Sequence, residues 1–242
     1  MDPMLWIPPG CRSVLDVGCN AGALLADCAR AYPNIRLAGV DVNQDAVPVA
    51  RKEVPRADIR HTMGQTLPFS DGEFDCVTCI EVIEHIPQEL RAATLREIHR
   101  VLAPGGRFVL RCPHEGAFAW LDSNNFRFRL PWLYNRLVGK GKRDFGYARG
   151  SEDVVWHHHF TKHELGSLVA DGFVVEHTHY GGLFLFPIAD VLSWPFYRRQ
   201  WSRGHIFNWV QRLAHWDISI NYGTASFTIM MVLKKEGAWP NG

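Results

Sequence analysis

The 242-residue sequence lacks several features that would place it in a specialised class of protein. Its formal net charge is only +1, so the overall composition gives no reason to expect nucleic-acid binding. No apolar run reaches the roughly 18 residues that a membrane-spanning helix needs; residues 182–196 come closest, and prolines and an aspartate interrupt them. The first ten residues, MDPMLWIPPG, lack the basic start and apolar core of a secretory signal. We therefore expect a cytoplasmic protein, with peripheral contact at the inner membrane face left open.

The cysteines form no disulfide or zinc framework. Six are scattered along the chain, and the CxxC pair Cys76 and Cys79 lies in an apolar, strand-like run. Residues i and i+3 of a strand point to opposite faces. We predict buried, reduced thiols, which are typical of a reducing compartment.

Strand-like and helix-like segments alternate through the first half of the chain. This alternation predicts an α/β fold, with a parallel sheet and helices on both faces. Ligands of such sheets bind beyond the carboxyl ends of the strands, so the chemistry is expected after residues 17, 40 and 80. Predicted strands cover 13–17, 36–40, 58–62, 74–80, 107–112, 173–179 and 224–235, and predicted helices cover 21–31, 44–53 and 88–102.

The second half is less regular. We predict a single domain over residues 1–242, in which 114–156 and 181–223 are substrate-side insertions. Residues 127–149 contain seven Lys or Arg against one acid, Asp144, which favours an anionic acceptor. The second insertion is aromatic-rich, which predicts a cap, a sugar-stacking surface or an interfacial membrane anchor. Its aromatic residues include Trp194, Phe196, Tyr197, Trp201, Phe207, Trp209 and Trp216.

A glycine-rich turn, VLDVGCNAGALL, follows the first predicted strand. Strand, glycine turn and helix occur in this order in nucleotide-binding folds, because glycine lets the backbone approach the ligand and the helix N-terminus offers free N–H groups. A dinucleotide fingerprint would need glycine where Asn20 and Ala23 stand, and no P-loop lysine follows. Neither a dinucleotide nor a P-loop site is therefore favoured.

The spacing Asp16-x-Gly18-x-Asn20-x-Gly22 resembles the first motif of class I S-adenosylmethionine (SAM)-dependent methyltransferases. Asp41 after the second strand, LPFSDGEFDCV (67–77) and RVLAPGG (100–106) resemble three further motifs, in the order of that superfamily. The resemblance extends to its type 11 group, which includes ubiquinone-pathway enzymes. It implies a Rossmann-like, seven-stranded, mostly parallel sheet with an antiparallel last strand, and an enzyme that converts SAM to S-adenosyl-L-homocysteine.

The same resemblance implies the cofactor contacts. Asp41 would hold the ribose hydroxyls, the turn around Gly18 the methionyl part, and Gln65 the adenine amino group, where the family often has an acid. Asn20 at a glycine position predicts a positive φ and a local side-chain hydrogen bond. The predicted cofactor site comprises Asp16, Gly18, Cys19, Asn20, Gly22, Asp41, Val42, Gly64, Gln65, Ile80 and Glu81.

Candidates for catalysis lie in two segments, CIEVIEHIP (79–87) and HHHF (157–160). A hydroxyl acceptor must lose its proton during methyl transfer, so a general base is needed. His159 fits the family's His-Phe-Thr pattern best. The predicted catalytic residues are His85, His159, His158 and Glu81.

Two interpretations of the segment EVIEH stay open. In the first, Glu81 lies near SAM, His85 lines the pocket, and there is no metal. In the second, a helical turn places Glu81, Glu84 and His85 on one face. These three would hold a divalent metal together with one of the three adjacent histidines, such as His158, an arrangement that resembles the small-RNA 3′-terminal 2′-O-methyltransferases.

The sequence therefore favours O-methylation of a small-molecule, sugar or glycolipid acceptor, which could be anionic. A nucleic-acid partner is not expected. The alternatives are a metal-assisted RNA 2′-O-methyltransferase and, from a different class, a SAM-binding regulatory protein without catalysis.

Overall fold

Seven strands form one sheet, in the order β3-β2-β1-β4-β5-β7-β6. The computed structural model describes residues 1–122, 125, 129–132, 157–185, 188, 189 and 205–239. Neighbouring strands from β1 to β5 pair in parallel, whereas β7 runs antiparallel to both β5 and β6. The predicted α/β fold with an antiparallel last strand is confirmed. The strands are β1 (Ser13–Val17), β2 (Arg36–Asp41), β3 (Asp58–His61), β4 (Phe74–Ile80), β5 (Leu102–Pro113), β6 (Phe173–Gly181) and β7 (Thr228–Lys235).

The predicted helices 21–31, 44–53 and 88–102 are present, whereas the helix His205–Ser219 was not predicted. The described helices longer than one turn are α1 (Ala23–Ala31), α2 (Ala46–Glu53), α3 (Gln88–Val101), α4 (Lys162–Val169) and α5 (His205–Ser219). The predicted strand 107–112 in fact begins at Leu102, immediately after α3. The pairing of β4 with β5 shifts register between Phe74 and Cys76, and this irregularity accommodates residues 103–106 within β5.

Apolar layers cover both faces of the sheet. All five residues of β1 are buried, as expected for a central parallel strand. Cys76 packs into one apolar cluster and Cys79 into the other, so the predicted opposite orientation of this pair is confirmed. All six cysteines lie in the described part of the chain, and each is a free thiol.

The second insertion is attached to the sheet through α5. The buried side of α5 packs Val210 and Ala214 against Ala189. The carboxylate of Asp217, also buried, accepts a hydrogen bond from the N–H of Leu183 at 2.9 Å, which ties α5 to the chain after β6.

Much of the two predicted insertions lies outside the described residues, including most of the basic stretch and the aromatic residues from Trp194 to Trp201. The predicted domain division therefore stays a prediction. Of the described part of the second insertion, Trp209 and Trp216 are exposed on α5. No helix in the described part of the chain is long and apolar enough to span a membrane.

Candidate active site

The glycine turn after β1 leaves no room for larger side chains. Gly18 has a φ of 81°, and a Cβ there would lie 2.2 Å from Val82 Cγ2. The N–H groups of Gly18 and Cys19 both donate to the carbonyl of Val40, at 2.8 and 3.0 Å. Glycine at position 18 is therefore required both by its backbone conformation and by the close approach of Val82.

Asn20 has the positive φ that the sequence predicted, at 45°. The predicted local hydrogen bond of its side chain is wrong, because within the described residues that exposed amide has no hydrogen-bond partner. Instead, the backbone N–H of Asn20 donates to Asp41 Oδ2 at 2.7 Å. An ionised carboxylate close to this N–H is a stronger acceptor than a neutral amide.

Asp41 is held at the carboxyl end of β2 by two backbone donors. Its Oδ1 accepts from the N–H of Asn43 at 2.7 Å, while its Oδ2 accepts from Asn20. Each oxygen of a carboxylate can accept more than one hydrogen bond, so both oxygens can still accept a hydroxyl. The two backbone contacts fix the orientation of this carboxylate.

A cavity of about 200 Å³ lies beside the turn and contains Asp16 at its base. Asp16 is buried, and Thr78 Oγ1 donates to its Oδ1 at 2.7 Å. Burial raises the pKa of Asp16 to about 7, although the Thr78 hydrogen bond opposes this shift. A buried carboxylate favours a cationic ligand, which would compensate its charge. The cavity is lined by Asp16, Gly18, Cys19, Asn20, Ala21, Ala23, Leu24 and Ile80.

The other predicted cofactor residues lie outside this lining. Gly22 is the N-cap residue immediately before α1, and an added Cβ there would lie 3.2 Å from Ala50. Val42 is exposed, and Gln65 Nε2 donates to Thr94 Oγ1 on α3 at 3.1 Å. Gly64 also faces Thr94, whose methyl would lie 2.9 Å from an added Cβ. Cofactor contacts at Val42, Gly64 and Gln65 stay predictions.

Glu81 does not share a helical face with Glu84 and His85, so this expectation is wrong. Its φ is 55°, a left-handed conformation that ends β4, and the single 3-10 turn begins only at Ile83. Its carboxylate turns away and pairs with Arg111, Nε to Oε1, at 2.9 Å. A positive φ in a glutamate is uncommon and is typical of functional sites.

The three adjacent histidines alternate in direction, as residues of an extended segment do. His157 Nδ1 and His159 Nε2 both contact Asp122 Oδ2, the latter at 2.8 Å. His158 points the other way, where its Nε2 lies 2.7 Å from Glu164 Oε1 on α4. The metal set predicted from Glu81, Glu84, His85 and His158 is therefore not assembled.

A different set of side chains meets beyond the ends of β4 and β5. The Glu84 carboxylate is completely buried, and its Oε1 lies 3.5 Å from His157 Nε2 and 3.9 Å from His85 Nε2. The rings of His85 and His157 lie 4.8 Å apart. We refer to these residues as the histidine cluster: Glu84, His85, Asp122, His157 and His159.

The charges within the histidine cluster depend on one another. Burial raises the pKa of Glu84 to about 7, and His157 opposes the shift. Burial disfavours charge on His157, but its contacts with the carboxylates of Asp122 and Glu84 outweigh this and raise its pKa to about 10. Hydrogen bonds from His157 and His159 hold the pKa of Asp122 well below its usual range, despite burial. Near pH 7 the cluster therefore contains an imidazolium–carboxylate pair beside a glutamate near its midpoint.

Sequence reasoning missed three residues of this region. Asp122 and the buried Asn125 lie in the first insertion, and Asn125 exchanges two hydrogen bonds with the backbone of His157, at 2.8 and 2.9 Å. Thr78 lies within an apolar strand and contacts Asp16, 62 residues earlier. No local pattern marks these residues, since each is paired with a distant part of the chain.

Comparison with known proteins relates the first half of the chain to one family. Residues 14–106 match a family described as a methyltransferase domain. A ubiquinone biosynthesis O-methyltransferase of Pseudomonas aeruginosa is 32% identical over 151 residues, which cover 60% of this chain and 62% of that protein. One from Ruegeria pomeroyi is 28% identical over 221 residues, 88% of this chain and 72% of that protein. Two other curated relatives are matched over only 40% and 31% of their own lengths.

The fold is shared with solved methyltransferase structures. A geranyl diphosphate C-methyltransferase from Streptomyces coelicolor, crystallised with Mg²⁺, geranyl-S-thiolodiphosphate and S-adenosyl-L-homocysteine, superposes with a TM-score of 0.60. The alignment covers 96% of this chain and 73% of that one at 12% identity. At this identity the likeness concerns the fold alone. The cavity beside the glycine turn and the histidine cluster lie at the carboxyl edge of this shared sheet.

Proposed function

We propose that this chain is a class I SAM-dependent methyltransferase that methylates a hydroxyl oxygen and uses His159 as the general base; the methyltransferase-domain match and the O-methyltransferase relatives support the proposal. The observation that carries the proposal is the histidine cluster, in which Asp122 orients His159. The segment of His159 pairs with the chain just after β5, and β5 lies beside β4, whose last residue, Ile80, lines the cavity. A hydroxyl needs a base to accept its proton, and a neutral histidine is well suited to this near pH 7.

The residues of the cavity, together with Asp41 at the end of the neighbouring strand β2, fit SAM. When bound, SAM supplies a methyl group activated by a sulfonium cation. Gly18 lets the backbone approach the ligand, Asp16 offers a buried carboxylate to its cationic methionyl part, and Asp41 offers a fixed carboxylate to its ribose. These residues bind and orient, while the histidine cluster handles the proton.

Oxygen is the favoured acceptor atom for two reasons. The relatives from Pseudomonas and Ruegeria are O-methyltransferases by name. His159 also provides the base that an oxygen acceptor requires more than a carbanion-like carbon does. The acceptor class follows the sequence prediction of a small-molecule, sugar or glycolipid hydroxyl, and peripheral membrane contact through exposed residues such as Trp209 and Trp216 belongs to the same proposal.

Calorimetry with SAM and S-adenosyl-L-homocysteine, followed by transfer of isotope-labelled methyl to a panel of hydroxylated acceptors, tests this function. We expect binding of both cofactor forms and labelled ether products. Tight NAD binding without SAM binding would contradict the cofactor assignment. Tight SAM binding without transfer to any hydroxyl acceptor would favour the regulatory alternative.

A metal-assisted reaction is the second candidate, favoured by the environment of Glu84. Within the described part of the chain, neither of its buried carboxylate oxygens accepts a hydrogen bond of normal geometry. Ligand atoms of Glu84, His85 and His157 all lie within 4.8 Å of one another. These three residues would hold a divalent cation, which supplies Lewis-acid activation of a hydroxyl when bound.

Metal analysis of the purified protein, with methyl transfer measured before and after chelation, separates the two mechanisms. The general-base mechanism predicts transfer that is indifferent to chelator. The metal-assisted route would be established if chelation abolished methyl transfer, one divalent metal restored it in the wild type, and the same metal failed to restore it in Glu84→Gln. Steeply salt-dependent RNA binding by the same preparation would indicate an RNA acceptor.

A further inference from the structure

Asp122 lies immediately after the 3-10 turn Ala119–Leu121 that follows β5. It is 3% exposed, and its Oδ2 contacts two histidine nitrogens that belong to one extended segment. Charge-assisted contacts of this kind are among the stronger polar interactions in a protein interior. The Asp122 carboxylate therefore links the first insertion to the segment that contains His157 and His159.

We propose that Asp122 is a positioning residue that holds His159 in the Nε2–H tautomer, so that Nδ1 is the nitrogen that accepts the proton from the acceptor hydroxyl. This inference rests on the proposed function, in which His159 is the base. A neutral imidazole carries one N–H and one lone pair, and the N–H belongs on the side of an ionised carboxylate, which only accepts. His159 Nε2 lies 2.8 Å from Asp122 Oδ2, so Nε2 carries the hydrogen.

His157 completes this arrangement from the other side of the same oxygen. Its Nδ1 donates to Asp122 Oδ2, and its Nε2 lies 3.5 Å from Glu84 Oε1. Because His157 lies between two carboxylates, it compensates the charge of Asp122. Asp122 can then orient His159 without remaining an isolated buried anion.

The ring of His159 is also confined by its neighbours. The backbone of His157 is pinned to Asn125 by two hydrogen bonds, at 2.8 and 2.9 Å. The ring of Phe227 packs against that of His159, with centroids 5.5 Å apart. These contacts limit rotation of His159, so the two ring nitrogens do not exchange places freely.

The chain contains a matched pair for comparison. His158 Nε2 lies 2.7 Å from Glu164 Oε1, a distance close to that between His159 and Asp122. Both side chains of the comparison pair are more than one-third exposed, at 35% and 38%. Glu164→Gln removes a carboxylate from a histidine of the same segment without touching Asp122.

Nitrogen NMR of the full chain with ¹⁵N-labelled histidine tests the tautomer without any acceptor, so its outcome is independent of the proposed function. Loss of one signal in His159→Gln assigns the resonance. We expect Nε2–H in the wild type and in Glu164→Gln, and a mixed or Nδ1–H population in Asp122→Asn, because an amide can donate to Nε2. Nδ1–H in the wild type, or an unchanged tautomer in folded Asp122→Asn, would overturn the proposal.

Kinetics then test whether the orientation matters for methyl transfer. We expect kcat to fall about 10²- to 10⁴-fold in Asp122→Asn, the range for loss of a positioned base, with an unchanged KM for SAM. Asp122→Glu, which retains a carboxylate, should recover part of this loss, whereas Glu164→Gln should keep the wild-type kcat. A tautomer change with unaltered kcat would refute the positioning role, and absence of transfer in the wild type would reject the proposed function while leaving the NMR result valid.

Discussion

The cavity beside the glycine turn, proposed to bind the cofactor, and the histidine cluster lie at the same edge of one sheet but differ in construction. The cavity and the neighbouring carboxylate of Asp41 depend on the backbone. Gly18 has a φ of 81°, the N–H groups of Gly18 and Cys19 donate to the carbonyl of Val40, and two further N–H groups donate to Asp41. The histidine cluster depends on side chains brought together from three segments of the chain. The family match, residues 14–106, includes the whole cavity lining. Of the histidine cluster it includes only Glu84 and His85. Cofactor binding and proton transfer should therefore respond independently to mutation.

The largest separation is expected from His159→Gln. Removal of the base should lower kcat about 10²- to 10⁴-fold, because the acceptor hydroxyl then loses its proton to water. The dissociation constant of S-adenosyl-L-homocysteine, measured by calorimetry, should stay within twofold of the wild type. His158→Gln is the control, since this side chain faces Glu164. An equal loss of kcat in both variants would instead support the sequence prediction that His158 takes part in catalysis.

Gly18→Ala should have the converse effect. The added Cβ would lie 2.2 Å from Val82 Cγ2 and would occupy a left-handed conformation, so the turn must distort. We expect affinity for S-adenosyl-L-homocysteine to fall roughly 100-fold, which is about 3 kcal/mol. Gly10→Ala is the matched control, because Gly10 has a similar φ of 77° but no atom lies within 4 Å of an added Cβ. It separates the steric contact with Val82 from the backbone strain. Calorimetry that found equal affinities for the two variants would contradict a steric role of Val82.

Asp16→Asn should alter the pH dependence of stability. In the folded chain without ligand, burial raises the pKa of Asp16 from about 3.8 to about 7. The folded state then holds a proton that the unfolded state has released, so this contribution is fully present below pH 4 and is lost as pH rises to 7. Between pH 5 and pH 7 the wild type should lose about 2 kcal/mol that Asp16→Asn retains. Urea denaturation at both pH values measures the difference, and parallel curves for the two proteins would argue against the shift.

Asn125→Ala should have the smallest effect and should act on the acceptor side. It removes two buried hydrogen bonds to the backbone of His157, at a cost of about 1–2 kcal/mol in the free energy of unfolding. We expect a reduced kcat and an unchanged affinity for S-adenosyl-L-homocysteine. Asn221→Ala is a suitable control, because Asn221 is exposed and, among the described residues, its side chain accepts a hydrogen bond only from the nearby N–H of Gly223. Equal destabilisation of both variants would mean that the Asn125 contacts do not stabilise the cluster.

The same contrast explains how much the sequence could predict. The strands, the glycine turn and the positive φ of Asn20 depend on residues close together in the sequence. The strand bounds were predicted to within a few residues, and the sign of the Asn20 φ was predicted correctly. The role of Asp122 could not be predicted, because its partners His157 and His159 follow 35 and 37 residues later and no spacing rule connects them. The conformation of Glu81 was missed for a related reason. Its backbone N–H and its carboxylate both contact Arg111 of the neighbouring strand, which lies 30 residues later in the sequence.

The buried cysteines can report local unfolding of the protein. Cys19 lines the cavity proposed to bind the cofactor, whereas Cys76 and Cys79 face opposite apolar layers of the sheet. Burial holds the pKa of each of these thiols far above the ordinary range, so a thiol reagent can modify them only when their surroundings open. Protection of Cys19 alone by S-adenosyl-L-homocysteine would report occupancy of the cavity, and the labelling rates of Cys76 and Cys79 would time the opening of each layer separately.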